Sequence, residues 1–190
     1  VQPVTVSITS PTPLYSPRFA NRTTPGNFIV KTGNFNLFNN PEMEGTAENF
    51  IRVEGVGQLM FNNCTAAMKP VPHALDWRST SSFSAYDKVG RWAGPWLVTS
   101  NLTVTTGTSE ADSRRGRLVQ EGPVVSTNRS FSIHGTYPTL ELSGPNRHEL
   151  GSVFVGGQLE LRDGATAELV QDDFYFQTPT AHAVRPRYWD

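Results

Sequence analysis

The stretch Gln158-Leu159-Glu160-Leu161-Arg162-Asp163-Gly164-Ala165-Thr166-Ala167-Glu168-Leu169-Val170 decides the fold class. Leu159 and Leu161 alternate with polar neighbours, and the run after Asp163-Gly164 behaves in the same way. A period of two places one apolar face on each run, as in a strand. Asp-Gly between two such runs suits a type I′ turn, which needs φ > 0 at both central residues. The reading predicts a β-hairpin here.

The same period recurs along the chain. Phe28-Ile29-Val30 and Phe35-Asn36-Leu37-Phe38 are two short runs split by Thr32-Gly33. Phe50 to Phe61 alternates through Ile51, Val53, Val56 and Leu59, with Gly55 and Gly57 marking a bulge or a close backbone approach. Trp96, Val98, Leu102 and Val104 share one face, and Phe131/Ile133 and Leu140/Leu142 alternate with polar residues. Ser143-Gly144-Pro145-Asn146 turns the chain, and Phe174-Tyr175-Phe176 makes a last strand. Val53 to Leu59 and Val153 to Leu159 share four of seven residues, a weak internal echo that would suit paired half-motifs. No stretch carries a helical period. Strands at roughly ten-residue spacing predict an all-β domain, either an antiparallel β-sandwich of jelly-roll type or a closed β-barrel.

Both termini break this rhythm. Pro11, Pro13, Pro17 and Pro25 exclude helix and central strand, so residues 1–26 read as an extended arm anchored by Leu14, Tyr15 and Phe19. Residues 27–178 form the single domain expected of a chain of 190 residues. Residues 179–190 hold His182, Arg185, Arg187, Tyr188 and Trp189, a composition that suits a docking tail.

Composition excludes several function classes. Net charge is −1, so neither nucleic acid nor an anionic membrane is an expected partner. Thirteen of the sixteen cations are arginine, which favours bidentate and stacked contacts. Cys64 is the sole cysteine and reads as a structural thiol. No apolar run reaches transmembrane length and no leader pattern is present, so no membrane span is expected. Four sequons, at Asn21, Asn63, Asn101 and Asn128, are close to chance for this composition.

Chemistry-bearing motifs are missing. The four histidines lack metal-ligand spacing, so neither a metal nor any other cofactor is expected. Asp172-Asp173 point to opposite faces of a strand, and Glu42/Glu44 read as a solvated loop. His73 and Asp76 could be imagined as a relay, with His134 as a further acid or base, but a capped loop is the simpler reading. The irregular region 66–94 gathers flat rings beside guanidiniums. Trp77, Arg78, Tyr86, Arg91, Trp92 and Trp96 form its candidate binding set, and the competing reading buries the tryptophans as core.

Three functions follow as expectations. The first is a non-enzymatic assembly protein, such as a viral or phage coat, decoration or attachment subunit. Its homo-oligomeric contacts would run through Tyr15, Phe19, Arg185, Arg187, Tyr188 and Trp189, placing it in a virion or on an extracellular surface. The second is a small-molecule barrel of lipocalin or cyclase/isomerase type with an apolar ligand in an aromatic pocket. The third is a carbohydrate-binding β-sandwich.

Overall fold

The computed structural model describes residues 4–8, 14–15, 26–86, 89–106, 116–126, 129–134, 139–170 and 174–176, and all regular structure in them is strand. The chain climbs in coils. β1 (Val4–Ile8) and β2 (Leu14–Tyr15) open it, followed by β3 (Gly26–Val30) with β4 (Asn34–Phe38), and β5 (Phe50–Gly55) with β6 (Gln58–Asn62). A third side is then added, in β7 (Ala74–Ser79), β8 (Ser82–Tyr86) and β9 (Val89–Trp92). Three further coils repeat it: β10 (Trp96–Val98), β11 (Leu102–Thr106) and β12 (Arg117–Gln120); β13 (Val124–Ser126), β14 (Phe131–His134) and β15 (Thr139–Ser143); β16 (Arg147–Leu150), β17 (Val153–Val155) and β18 (Gln158–Arg162). β19 (Thr166–Leu169) and β20 (Phe174–Phe176) follow.

Each strand pairs in parallel with its counterpart one coil away. First strands make sheet A and second strands sheet B, each of eight strands, and β9, β12, β15 and β18 make sheet C. This is a parallel β-solenoid.

It replaces the antiparallel sandwich, jelly roll and closed barrel expected from sequence. Asp163 and Gly164 do adopt positive φ, 56° and 84°, and the Ala165 N–H closes the turn on the Arg162 carbonyl at 3.0 Å. The flanking strands nevertheless do not pair with each other. β18 pairs with β15 and β19 with β16, so the turn is a corner between sheets C and A and not a hairpin. The segment expected to be an arm contributes β1 and β2, paired with β3 and β4; its remainder lies outside the described residues, as does the tail 179–190.

Period two survives each corner. Trp96 and Val98 point inward from sheet A, and Leu102 and Val104 do the same from sheet B after the corner Thr99–Asn101. The long run from Phe50 to Phe61 is likewise two strands. Gly55 turns at φ 63°, and a Cβ at Gly57 would press on the Val30 carbonyl, which makes these glycines a close-approach corner. The internal echo marks two such corners of different kinds: Gly57 leads from sheet A to sheet B, Gly157 from sheet B to sheet C.

Stacked side chains fill the interior among the described residues. Phe83 lies 5.6 Å from Phe61, 5.3 Å from Trp96 and 5.8 Å from Trp92, ring centre to ring centre. The Trp92 indole N–H donates to the His73 carbonyl at 2.7 Å, and that of Trp77 to the Asn101 carbonyl at 3.2 Å. Corners after sheet B are held by asparagines in left-handed conformation. Asn39 (φ 59°) accepts from the amide of Asn63 (φ 52°), and the Asn40 side chain accepts from the Thr65 N–H at 2.6 Å. Cys64 sits beneath them, buried, with its thiol on the Leu37 carbonyl at 3.3 Å; burial pushes the thiol pKa up.

His148 breaks the apolar pattern of this interior. It pairs with Ala167 and lies one register step before the Val125–Glu149 pair, which aligns it with Val124. Its ring is fully buried and neither nitrogen meets a hydrogen-bond partner. Burial pushes its pKa down to about 4, so the ring is neutral at pH 7.

Candidate functional site

The three outer faces of the solenoid differ in chemistry. The eight strands of sheet B contain no Asp, Glu, Lys or Arg, whereas strands of sheets A and C carry both signs. On sheet A, Arg52 and Arg78 pair with Asp76 at 2.7 and 2.8 Å. Burial alone would raise the Asp76 pKa, but the guanidiniums of Arg78 and Arg52 outweigh it and hold the carboxyl below its ordinary range. On sheet C, Arg117 bridges Glu141 and Glu160, Arg162 reaches Glu160 at 2.8 Å, and Arg91 meets Glu121 beyond the strand end. Their charged groups are consumed by one another.

Sheet B offers neutral hydrogen-bonding groups in register. Ser82, Thr103, Ser132 and Phe154 form one row across four strands, and Ser84, Thr105 and His134 form the next. Strand geometry sets the levels roughly 4.8 Å apart, and residues two apart on a strand roughly 6.6 Å apart. At the lower levels the hydroxyls satisfy each other, with Ser84 and Thr105 at 2.7 Å and Ser82 and Ser84 at 3.5 Å. Higher up, a cleft of about 290 Å³ opens between Asn101, Thr103, Ser130, Ser132, Ile133, His134 and Phe154.

The cleft is rigid at its base. The Asn101 side chain accepts the Ser130 backbone N–H at 3.1 Å while its carbonyl holds the Trp77 indole. Arg129, at the rim, is committed to the Thr99 carbonyl at 2.9 Å. By contrast, the hydroxyls of Thr103, Ser130 and Ser132 and the ring of His134 bond to no other protein group among the described residues. Hydroxyl and imidazole groups that both donate and accept, fixed on strands, can order an uncharged polar ligand. Among the described residues no hydrogen bond pairs one of these hydroxyls with the His134 ring.

No family model, curated protein or solved structure matches this chain. The cleft on sheet B is defined by its own geometry.

That geometry separates the residues singled out from sequence. His73 is buried, with its ring Nε2–H on the Gly26 carbonyl at 3.1 Å and its pKa lowered by burial. Asp76 lies in the arginine cluster of sheet A, and His134 lies on sheet B. The structure does not bring the three together, so they form no relay. Trp77, Trp92 and Trp96 are buried in the core, their faces taken by each other and by Phe61 and Phe83. Arg78 and Arg91 are held in their ion pairs, and the Tyr86 side chain lies outside the described residues. The same is true of Phe19, Arg185, Arg187, Tyr188 and Trp189, while Tyr15 is described only as part of β2. Of the cleft residues, sequence reasoning picked His134 alone. Asn101, Thr103, Ser130, Ser132 and Phe154 left one signal, the absence of charge from the runs that form sheet B. Among the described residues, no helix is long and apolar enough to cross a membrane.

Proposed function

We propose that the chain is a non-enzymatic structural module, a rigid solenoid whose sheet B serves as an attachment face within a surface assembly. The observation that carries this reading is the contrast between faces. Sheets A and C close most of their charges into ion pairs, Glu149 excepted, while eight strands of sheet B are free of charge and carry a cleft whose hydroxyls bond to no other protein group among the described residues. Charged side chains keep neighbouring molecules apart through their hydration, and a face without them loses little on being covered. A site on strands needs no ordering of loops on binding, which lowers the entropic cost of association.

The test is retention of the protein on a panel of immobilised polysaccharides and proteins, compared with Ser132→Glu on sheet B and Glu168→Gln on sheet A. The reading expects retention on at least one surface, its loss in S132E, its persistence in E168Q, and no bond cleavage in the retained polymer. New chain ends in that polymer, or equal retention of wild type and S132E, would overturn it.

A further inference from the structure

We infer that the ligand of sheet B is a neutral, extended polysaccharide lying along the solenoid axis, its sugar hydroxyls matched to Thr103 and Ser132 on successive levels and one ring placed at Phe154 on the next. This rests on the attachment-face reading above and names the chemistry of what is attached.

Charge is the first discriminator. Nucleic acids and anionic glycans need Lys or Arg to neutralise them, and no strand of sheet B has either. The second is apolar area. Among the described residues the exposed large hydrophobics are Val56, Leu97, Val125, Leu161 and Val170, and none of these belongs to sheet B. A protein partner needs a contiguous aromatic or aliphatic anchor region; among the described residues the outward apolar side chains of sheet B, Phe38, Met60 and Phe154, are half-buried and sit on three different strands. What sheet B does offer is hydroxyls that donate and accept, together with one ring wall in the cleft. Sugars present the complementary pair: hydroxyls at the ring edge and C–H groups on the ring face, which pack on aromatic surfaces.

Orientation follows from register. Thr103 pairs with Ser132 and Ser132 with Phe154, without stagger, so the row runs at right angles to the strands and along the axis. Its repeat is the strand spacing, roughly 4.8 Å. An extended chain of equatorially linked hexopyranoses advances by about the same distance per sugar, so successive residues meet successive levels. A chain laid along a strand would meet hydroxyls at the longer spacing of roughly 6.6 Å and cross the corner after two of them.

Affinity electrophoresis through native gels tests this. The gels contain a soluble neutral β-1,4-glucan, a neutral but helical amylose, or anionic polygalacturonate, with wild type, Thr103→Ala, Ser132→Ala, Ser132→Glu and the sheet A control Glu168→Gln run side by side. The expected result is retardation by the β-1,4-glucan alone, with apparent affinity falling roughly tenfold in S132E and less in the two alanine variants, and unchanged in E168Q. Unaltered thermal transitions in the alanine variants separate lost binding from lost folding. Retardation by polygalacturonate or amylose in place of the glucan, abolished by S132E, would overturn the ligand class and leave the attachment face standing. Glucan retardation indifferent to all three sheet B substitutions would overturn the face and this inference together. No retardation by the glucan would overturn the inference outright.

Discussion

Acid should destabilise this protein through His148 before it reaches the carboxylates. The ring is sealed between Val124 and Ala167, neutral, with both nitrogens unpartnered and its pKa pushed down to about 4 from an ordinary 6.5. In the unfolded chain the ring takes a proton near pH 6.5, and in the native state it resists until about 4. Between those values the unfolded state binds more protons, so stability falls as pH falls across the window and levels off below it. The difference corresponds to about 3 kcal/mol at 1.36 kcal/mol per unit, a large share of the 5–15 kcal/mol typical of a domain. His73 is lowered by burial too and adds in the same direction. Asp76 acts in a lower range. Its carboxyl is held below the ordinary value, so its contribution is present above that value and is lost as pH falls through the native one.

The perturbation is His148→Leu, which puts an apolar side chain where two nitrogens had no partner. Circular-dichroism melts of wild type and H148L at pH 7, 6, 5 and 4 read the outcome. At pH 7 the variant should be as stable as wild type or more so, because an unsatisfied polar group has been removed. Towards pH 4 the gap should widen by about 3 kcal/mol in favour of the variant. His73 and the carboxylates are common to both proteins and cancel in the comparison. Parallel stability curves from pH 6.5 to 4 would refute the reasoning, since His148 would then titrate alike in the native and unfolded states.

Three further outcomes are expected. Gly94→Ala should cost roughly 1–3 kcal/mol in urea denaturation, because a Cβ there runs into the His73 carbonyl, which is backbone and has little room to move. Asn63→Ala should cost about 1–2 kcal/mol through its left-handed φ of 52°, and Asn63→Gly should recover most of that loss in the same melts. Cys64, buried with a raised pKa, should resist a thiol reagent in the native protein and react fully in denaturant; a fast reaction under native conditions would show that the coil above it opens.

Strand content was legible in the sequence because period two reports only which residues face the core. Phe28, Ile51, Leu102 and Leu140 face inward as their alternation requires, whereas region 66–94, irregular in sequence, holds β7, β8 and β9. Pairing was not legible. Parallel sheets usually hide both faces, so alternating runs suggest antiparallel neighbours. Here each sheet has one solvated face, and the crossover that parallel pairing requires is the rest of the coil. Asp163-Gly164 shows the same limit: its backbone conformation was encoded locally, but which strand lies beside Gln158–Arg162 depends on Leu140 and Leu142 nearly twenty residues earlier. The site escaped for a related reason. Thr103, Ser132 and Phe154 are spread over fifty residues of chain and become neighbours only through coil register, whereas the aromatic cluster between Trp77 and Trp96 stands out in sequence and belongs to the core.

Register partners lie between 19 residues apart, as Leu150 and Leu169 do, and 29, as Leu102 and Phe131 do. Each coil therefore leans only on the coils directly before and after it. Such a molecule comes apart like a zipper, from whichever end opens first, and its amide hydrogens should exchange on a gradient that is slowest near Trp77 and Trp92 and faster towards the termini. A lesion in the middle would divide that gradient in two, leaving each half to fray at its own rate.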